Sequence, residues 1–107
     1  LYGNELETQI VGLPDNFSLE WPYPNPFNPV TTISYNLKES SAIRLVIYDL
    51  LGREVEVLHE GVKIAGYHHM TWNASNYASG MYFIRMNVYG IDNTLRFNKL
   101  QKIILVK

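Results

Sequence analysis

Cysteine is absent from this chain of 107 residues, which excludes a disulfide framework and any thiolate metal site. Charge is also sparse. Only 18% of residues are Asp, Glu, Lys or Arg and the formal net charge is −1, unlike the dense basic footprint of a nucleic-acid binder. No apolar run approaches the ~18 residues a membrane-spanning helix needs, and no signal-peptide pattern opens the chain. No segment sustains a helical hydrophobic period, so essentially no helix is expected. The chain begins at Leu1 rather than Met, so we read it as a fragment or a processed product. An export signal is then expected ahead of Leu1, unless the module is itself the address.

Catalytic constellations are missing too. His68 and His69 are neighbours on a strand-like segment and point to opposite faces, so they cannot share a metal. His59 has no partner at ligand spacing, and His68 is expected to bond a loop backbone instead. Ser40, Ser41, Ser75 and Ser79 lack the Gly-x-Ser-x-Gly turn that exposes a nucleophile. Glu54 and Glu56 share one strand face ~7 Å apart, but a flat strand offers no cleft for glycoside hydrolysis. They read as solubilising charges. No enzyme, cofactor or metal is expected.

What is abundant is proline in one place. Pro22, Pro24, Pro26 and Pro29 fall within eight positions, in the run Tyr23-Pro24-Asn25-Pro26-Phe27-Asn28-Pro29. Each proline fixes φ, removes a donor and biases the preceding residue toward extended geometry. This is a stiff lead-in cord, neither helix nor central strand. Ahead of it, Leu13-Pro14-Asp15-Asn16 is a breaker cluster, so residues 1–16 are expected to be linker and 17–107 the domain.

After the cord nearly every segment alternates. Strands are expected at about 17–20, 31–37, 42–48, 54–59, 67–73, 81–89 and 94–106, the fourth stopped by Glu60-Gly61 and the last interrupted near Asn98 to Leu100. Asp49 is placed to accept backbone hydrogen bonds in the turn it opens, and Gly52 can supply positive φ there. Gly66 and Gly80 are expected at turns as well. Six to eight short strands in about 85 residues specify an all-β, immunoglobulin-like antiparallel sandwich. Its expected core is Ile33, Tyr35, Leu37, Ile43, Leu45, Ile47, Trp72, Tyr82, Ile84, Ile103 and Leu105, with Tyr48 in support.

Two distributions bear on function. Residues 61–107 carry six bases against Asp92 alone, whereas nine of the ten acids lie in residues 1–60. The second half therefore offers a basic edge or a solvated face. Fourteen aromatic residues in so small a domain also leave two readings of Trp21 and Tyr23. They staple the cord to the sheet, or they form a sugar-stacking platform.

The motifs together carry a resemblance. The cord is followed by Thr31-Thr32-Ile33-Ser34-Tyr35, Val46-Ile47-Tyr48-Asp49 and Gly52-Arg53-Glu54-Val55. Then come Ala65-Gly66-Tyr67-His68, Trp72-Asn73-Ala74-Ser75, Ser79-Gly80-Met81-Tyr82-Phe83 and Lys102-Ile103-Ile104-Leu105-Val106-Lys107. This order resembles the type A C-terminal sorting domain of the type IX secretion system of Bacteroidetes and related phyla. It is also similar to the related immunoglobulin-like domain of flagellar hook-capping proteins. The resemblance covers roughly residues 17–107. It departs at Trp21-Pro22, where the family often has Gln-Asn.

The resemblance implies a non-catalytic secretion address. An attached N-terminal cargo would be carried from the periplasm across the outer membrane to the cell surface or the medium. The terminal region, with Lys99, Lys102, Ile103, Ile104, Leu105, Val106 and Lys107, would be read by the outer-membrane translocon and its shuttle protein. A sortase-like peptidase would cut within residues 1–16 and attach the cargo to a surface lipopolysaccharide. A carbohydrate-binding accessory module using Trp21 and Tyr23 is the alternative from another class, and a structural assembly domain a third.

Overall fold

The computed structural model describes residues 12–107. Seven strands form two antiparallel sheets: β1 (Ser18–Leu19), β2 (Val30–Leu37), β3 (Ser41–Tyr48), β4 (Glu54–Lys63), β5 (Gly66–Asn73), β6 (Gly80–Tyr89) and β7 (Leu95–Leu105). The three-stranded sheet runs β1-β2-β5 and the four-stranded sheet β4-β3-β6-β7. There is no helix among the described residues. The first eleven residues of the expected linker lie outside them.

Period-two patterning makes the sandwich. In β2, Thr31, Ile33, Tyr35 and Leu37 are buried and the residues between them half-buried. In β6 the buried set is Tyr82, Ile84, Met86 and Val88. These faces meet Ile43, Leu45 and Ile47 of β3 and Ile103 and Leu105 of β7 in one core. Each such aliphatic side chain contributes roughly 1.5–3 kcal/mol on leaving water. All the expected core residues except Tyr48 are in it, joined by Leu19, Phe27, Ala74, Met86 and Val88. Tyr48 is half-buried on the opposite face, beneath the Arg85 guanidinium. With Ile43, Leu45 and Ile47 facing inward, the pleat turns Tyr48 outward.

With no disulfide, aromatic packing ties the sheets together at one end. Trp72 on β5 lies 5.5 Å from Phe27, 5.7 Å from Tyr77 and, edge-on, 5.7 Å from Tyr82. The Tyr82 hydroxyl donates to Ala78 O at 2.6 Å, the tyrosine corner that immunoglobulin-like sandwiches place at the start of the sixth strand. In the constant-type arrangement the fourth strand lies beside the fifth. Here β4 lies beside β3 instead, which gives the three-plus-four division.

Two expected boundaries are corrected. β4 does not stop at Glu60-Gly61 but continues to Lys63, with Gly61 paired to Ile43. Gly61 sits on an edge strand, where a missing side chain costs little packing. β7 is uninterrupted through Asn98 to Leu100, and the one irregularity in its pairing with β6 lies at Val88/Tyr89. The polar residues that suggested a break reach water from the edge of the sheet.

Candidate functional site: the terminal strand and its proline cap

The cord is a stitch between the sheets rather than a free lead-in. Its first part continues beside β2: Tyr23 N–H donates to Thr32 O at 3.0 Å and Thr32 N–H to Tyr23 O at 2.9 Å. It then crosses to the other sheet, where Phe27 bridges Leu105 in parallel. Phe27 N–H donates to Ile104 O, and Val106 N–H to Phe27 O, both at 2.9 Å. Asn25 completes the contact, its amide donating to Lys102 O and its carbonyl accepting from Ile104 N–H, each at 3.0 Å. Phe27 is driven inward and is 2% exposed. The Thr31 hydroxyl donates to Pro24 O at 2.7 Å and Ala74 N–H to Pro29 O at 2.8 Å, holding both ends of the loop. Pro26 and Asn28 are exposed at its apex.

The cap changes what the terminal strand presents. β7 is paired with β6 along its length and is an edge of its sheet. The run of backbone donors and acceptors along this edge is interrupted, since Lys102 to Val106 is already bonded to the cord. Ile103 and Leu105 belong to the core, and Ile104 is half-buried. Lys107 is tethered too. Lys107 N–H donates to Ser79 Oγ at 2.9 Å, and its ammonium donates to Ser75 O and Tyr77 O at 2.6 and 2.9 Å. Of the residues expected to be read, Lys99, Lys102 and Val106 are solvent-exposed, and their side chains carry no such tether among the described residues.

The Asp49 turn folds as its sequence implies. Asp49 Oδ1 accepts from Leu51 N–H at 2.9 Å and Arg53 N–H at 3.0 Å, while Oδ2 pairs with Arg53 Nε at 2.9 Å. The Arg53 amide, then the Arg53 side chain and the Leu51 amide, hold the Asp49 carboxyl below its ordinary value. Gly52 closes the turn at φ +82°, a conformation that side chains resist. This turn, Tyr48, Phe83, Arg85 and Leu100 border a shallow hollow of about 230 Å³ on the outer face of the four-stranded sheet. Gly66 and Gly80 stand at the first positions of β5 and β6. His68 Nε2 lies 2.8 Å from Ile64 O, and its ring stacks on Tyr35 at 5.2 Å. This is the loop-backbone contact expected of it. Among the described residues no group of three or more His, Cys, Asp or Glu could hold a metal.

Trp21 and Tyr23 are 61% and 79% exposed, so neither staples the cord by its side chain. The docking falls to Phe27, Asn25 and the backbone of Tyr23. Glu56 is likewise more than a solubilising charge. It accepts from Trp72 Nε1 at 3.1 Å and the Tyr77 hydroxyl at 2.9 Å. Burial first, then the Glu56 carboxylate, raises the Tyr77 phenol above its ordinary value. Glu54 pairs with Arg44 at 2.9 Å. Sequence alone gives no sign that Glu56 faces an indole on another sheet.

A sandwich of two antiparallel sheets, with a partly capped β7 edge and the exposed Lys99 and Lys102 on it, defines a small all-β, immunoglobulin-like domain. The chain belongs to the secretion system C-terminal sorting domain family, whose model matches residues 22–104. That membership supports a sorting role in type IX secretion. Comparison with curated proteins gives no match.

Proposed function

We propose that this domain is the non-catalytic address that carries an attached N-terminal cargo across the bacterial outer membrane, with the translocon and its shuttle protein reading the β7 side. The observation that carries this reading is a terminal strand at a sheet edge, flanked by the exposed Lys99 and Lys102, within a chain of the sorting family. Edge strands add to other sheets readily, and basic side chains steer toward acidic partners. A sortase-like peptidase cutting in residues 1–16 would then release the cargo or attach it to the cell surface.

The test is a fluorescent cargo fused ahead of residues 1–107, with a periplasmic export signal, in a host with a working type IX system. Surface or medium fluorescence is expected, and it should fall when Lys99 and Lys102 are reversed to Glu. Cargo held in the periplasm by the intact domain would overturn the reading. The exposure of Trp21 and Tyr23, two positions apart on the cord, favours a second reading as a sugar-stacking surface. Loss of polysaccharide retention in Trp21→Ala would support it.

A further inference from the structure

The cord leaves one stretch of the terminal edge open. Ile104 N–H and C=O, and Lys102 C=O, point away from β6 toward the cord. In an antiparallel ladder every second residue faces the same way, so Asn98 and Leu100 also turn their N–H and C=O groups outward, as Lys102 does its N–H. Among the described residues no backbone group bonds to them. The strand is regular here, with Asn98 opposite Asn87 and Leu100 opposite Arg85.

The surroundings define what would pair there. Lys99 and Lys102 are exposed and form no salt bridge among the described residues, and Arg85 is exposed on the neighbouring strand. The one acid of residues 61–107 is Asp92, engaged with Arg96 at 3.4 Å in the β6–β7 hairpin. Leu100, 47% exposed, stands beside the Tyr48–Phe83 hollow, which has apolar walls and the Arg85 guanidinium at its rim. The other edge of this sheet is less suited to pairing. β4 meets β3 with register shifts at two steps, and such irregularities discourage strand addition.

We propose that the Asn98–Lys102 stretch of β7 is a strand-addition site for an extended acidic segment of a partner protein, with an apolar side chain of that segment seated in the hollow beside Leu100. The inference rests on the sorting reading for its biological setting, but its chemistry stands on the edge itself. Main-chain bonds supply the pairing, and Lys99, Lys102 and Arg85 select for acids. The same lysines repel a second, equally basic copy of this edge. The capped Lys102–Val106 end fixes the register by blocking pairing further along.

Two measurements test this. First, the full 107-residue chain is titrated with a synthetic peptide alternating Val and Glu, and with its Val/Lys counterpart, while backbone amide shifts are followed. Shifts at the Asn98, Leu100 and Lys102 amides with the acidic peptide only are expected. Their absence, or shifts centred on β4, would overturn the proposal. Second, Leu100→Pro removes one outward donor without touching the β6 ladder. It should lower exported cargo at least tenfold in the fusion assay while the thermal transition persists. A folded Leu100→Pro domain exported at the wild-type level overturns the proposal. If that variant does not fold, Lys99→Glu/Lys102→Glu keeps the backbone intact and should abolish the amide shifts. Should it shift like the wild type, the proposal fails. A wild-type domain that strands its cargo defeats the sorting reading, and the peptide titration then decides the edge independently. Self-association of the wild type that Leu100→Pro abolishes would assign the edge to a second copy and also overturn the proposal.

Discussion

Phe27→Ala is the sharpest perturbation of this architecture, because one side chain holds the cord against both sheets. Phe27 is 2% exposed and packs 5.5 Å from Trp72. A phenyl ring in such a site buries on the order of 150–200 Å², which at roughly 25 cal/mol/Å² gives about 4–5 kcal/mol. Measured Phe→Ala substitutions in cores cost about 3–5 kcal/mol, consistent with that figure. Total stability for a domain of this size is about 5–15 kcal/mol, so the variant should remain folded only near the margin. Urea unfolding with a shared slope gives the stability difference, and hydrogen exchange at Val106 gives its location. The Val106 amide donates to Phe27 O and should lose protection before the β3–β6 amides do. A loss below about 1 kcal/mol would refute the claim that the cord is seated in the core. So would a Val106 amide protected as in the wild type.

Asn25→Ala should cost less, about 1–2 kcal/mol, since it removes two hydrogen bonds to half-exposed backbone groups of β7; chemical denaturation and exchange at Ile104 would read it. Glu56→Ala strips the acceptor from the Trp72 indole and the Tyr77 hydroxyl and should cost about 1–3 kcal/mol. Glu56→Gln keeps an acceptor oxygen and should recover most of the loss in the same denaturation assay. Asp49 has a folded pKa below its unfolded one because of the Arg53 amide and its neighbours. Its stabilisation is therefore present above about pH 4 and lost as pH falls through the folded value. Asp49→Asn should flatten that part of the acid limb in thermal melts run from pH 6 down to pH 2. Deleting Lys102 to Lys107 removes Ile103 and Leu105 from the core and should abolish cooperative unfolding. An export defect in that truncation would therefore report misfolding as much as a lost address, which is why outward-facing substitutions are the better probe.

The alternation of β2, β3 and β6 was legible because one face of each strand is buried and the other is half-wet, the situation in which a period of two is written in sequence. β7 was harder. Only its last part, Gln101 to Leu105, has a cleanly buried face, while Leu95 to Leu100 is mostly exposed. Its polar residues thus resembled a break. Tyr48 misled in the opposite sense: a large aromatic at the end of an apolar strand suggests core, but the pleat of β3 puts it outside. The Asp49 turn and the His68 contact were legible because both are local, spanning four residues each. Glu56 with Trp72, and Lys107 with Ser75 and Tyr77, join residues 16, 32 and 30 apart. No local pattern marks such contacts.

The cord shows most clearly where reasoning from sequence stops. Prolines at 22, 24, 26 and 29 argue correctly that the segment cannot form a ladder of its own, because each has surrendered its donor. Yet between the prolines stand residues that can still bond sideways, and two of them reach β7. Phe27 retains an N–H, and Asn25 carries a donor and an acceptor on one planar amide. Asn25 thus serves two successive backbone groups of β7, in the manner of a strand residue, without using its own main chain. Aligning the cord beside β7 then needs only the hydrophobic anchor of Phe27. The same residues that disqualify the segment as an ordinary strand make it a terminating one: it satisfies the edge from Lys102 to Val106 and offers little regular backbone for a further strand to follow. Closed in this way from Lys102 onward, the β7 edge keeps its outward groups at Asn98 and Leu100 available, which is where we place the partner strand.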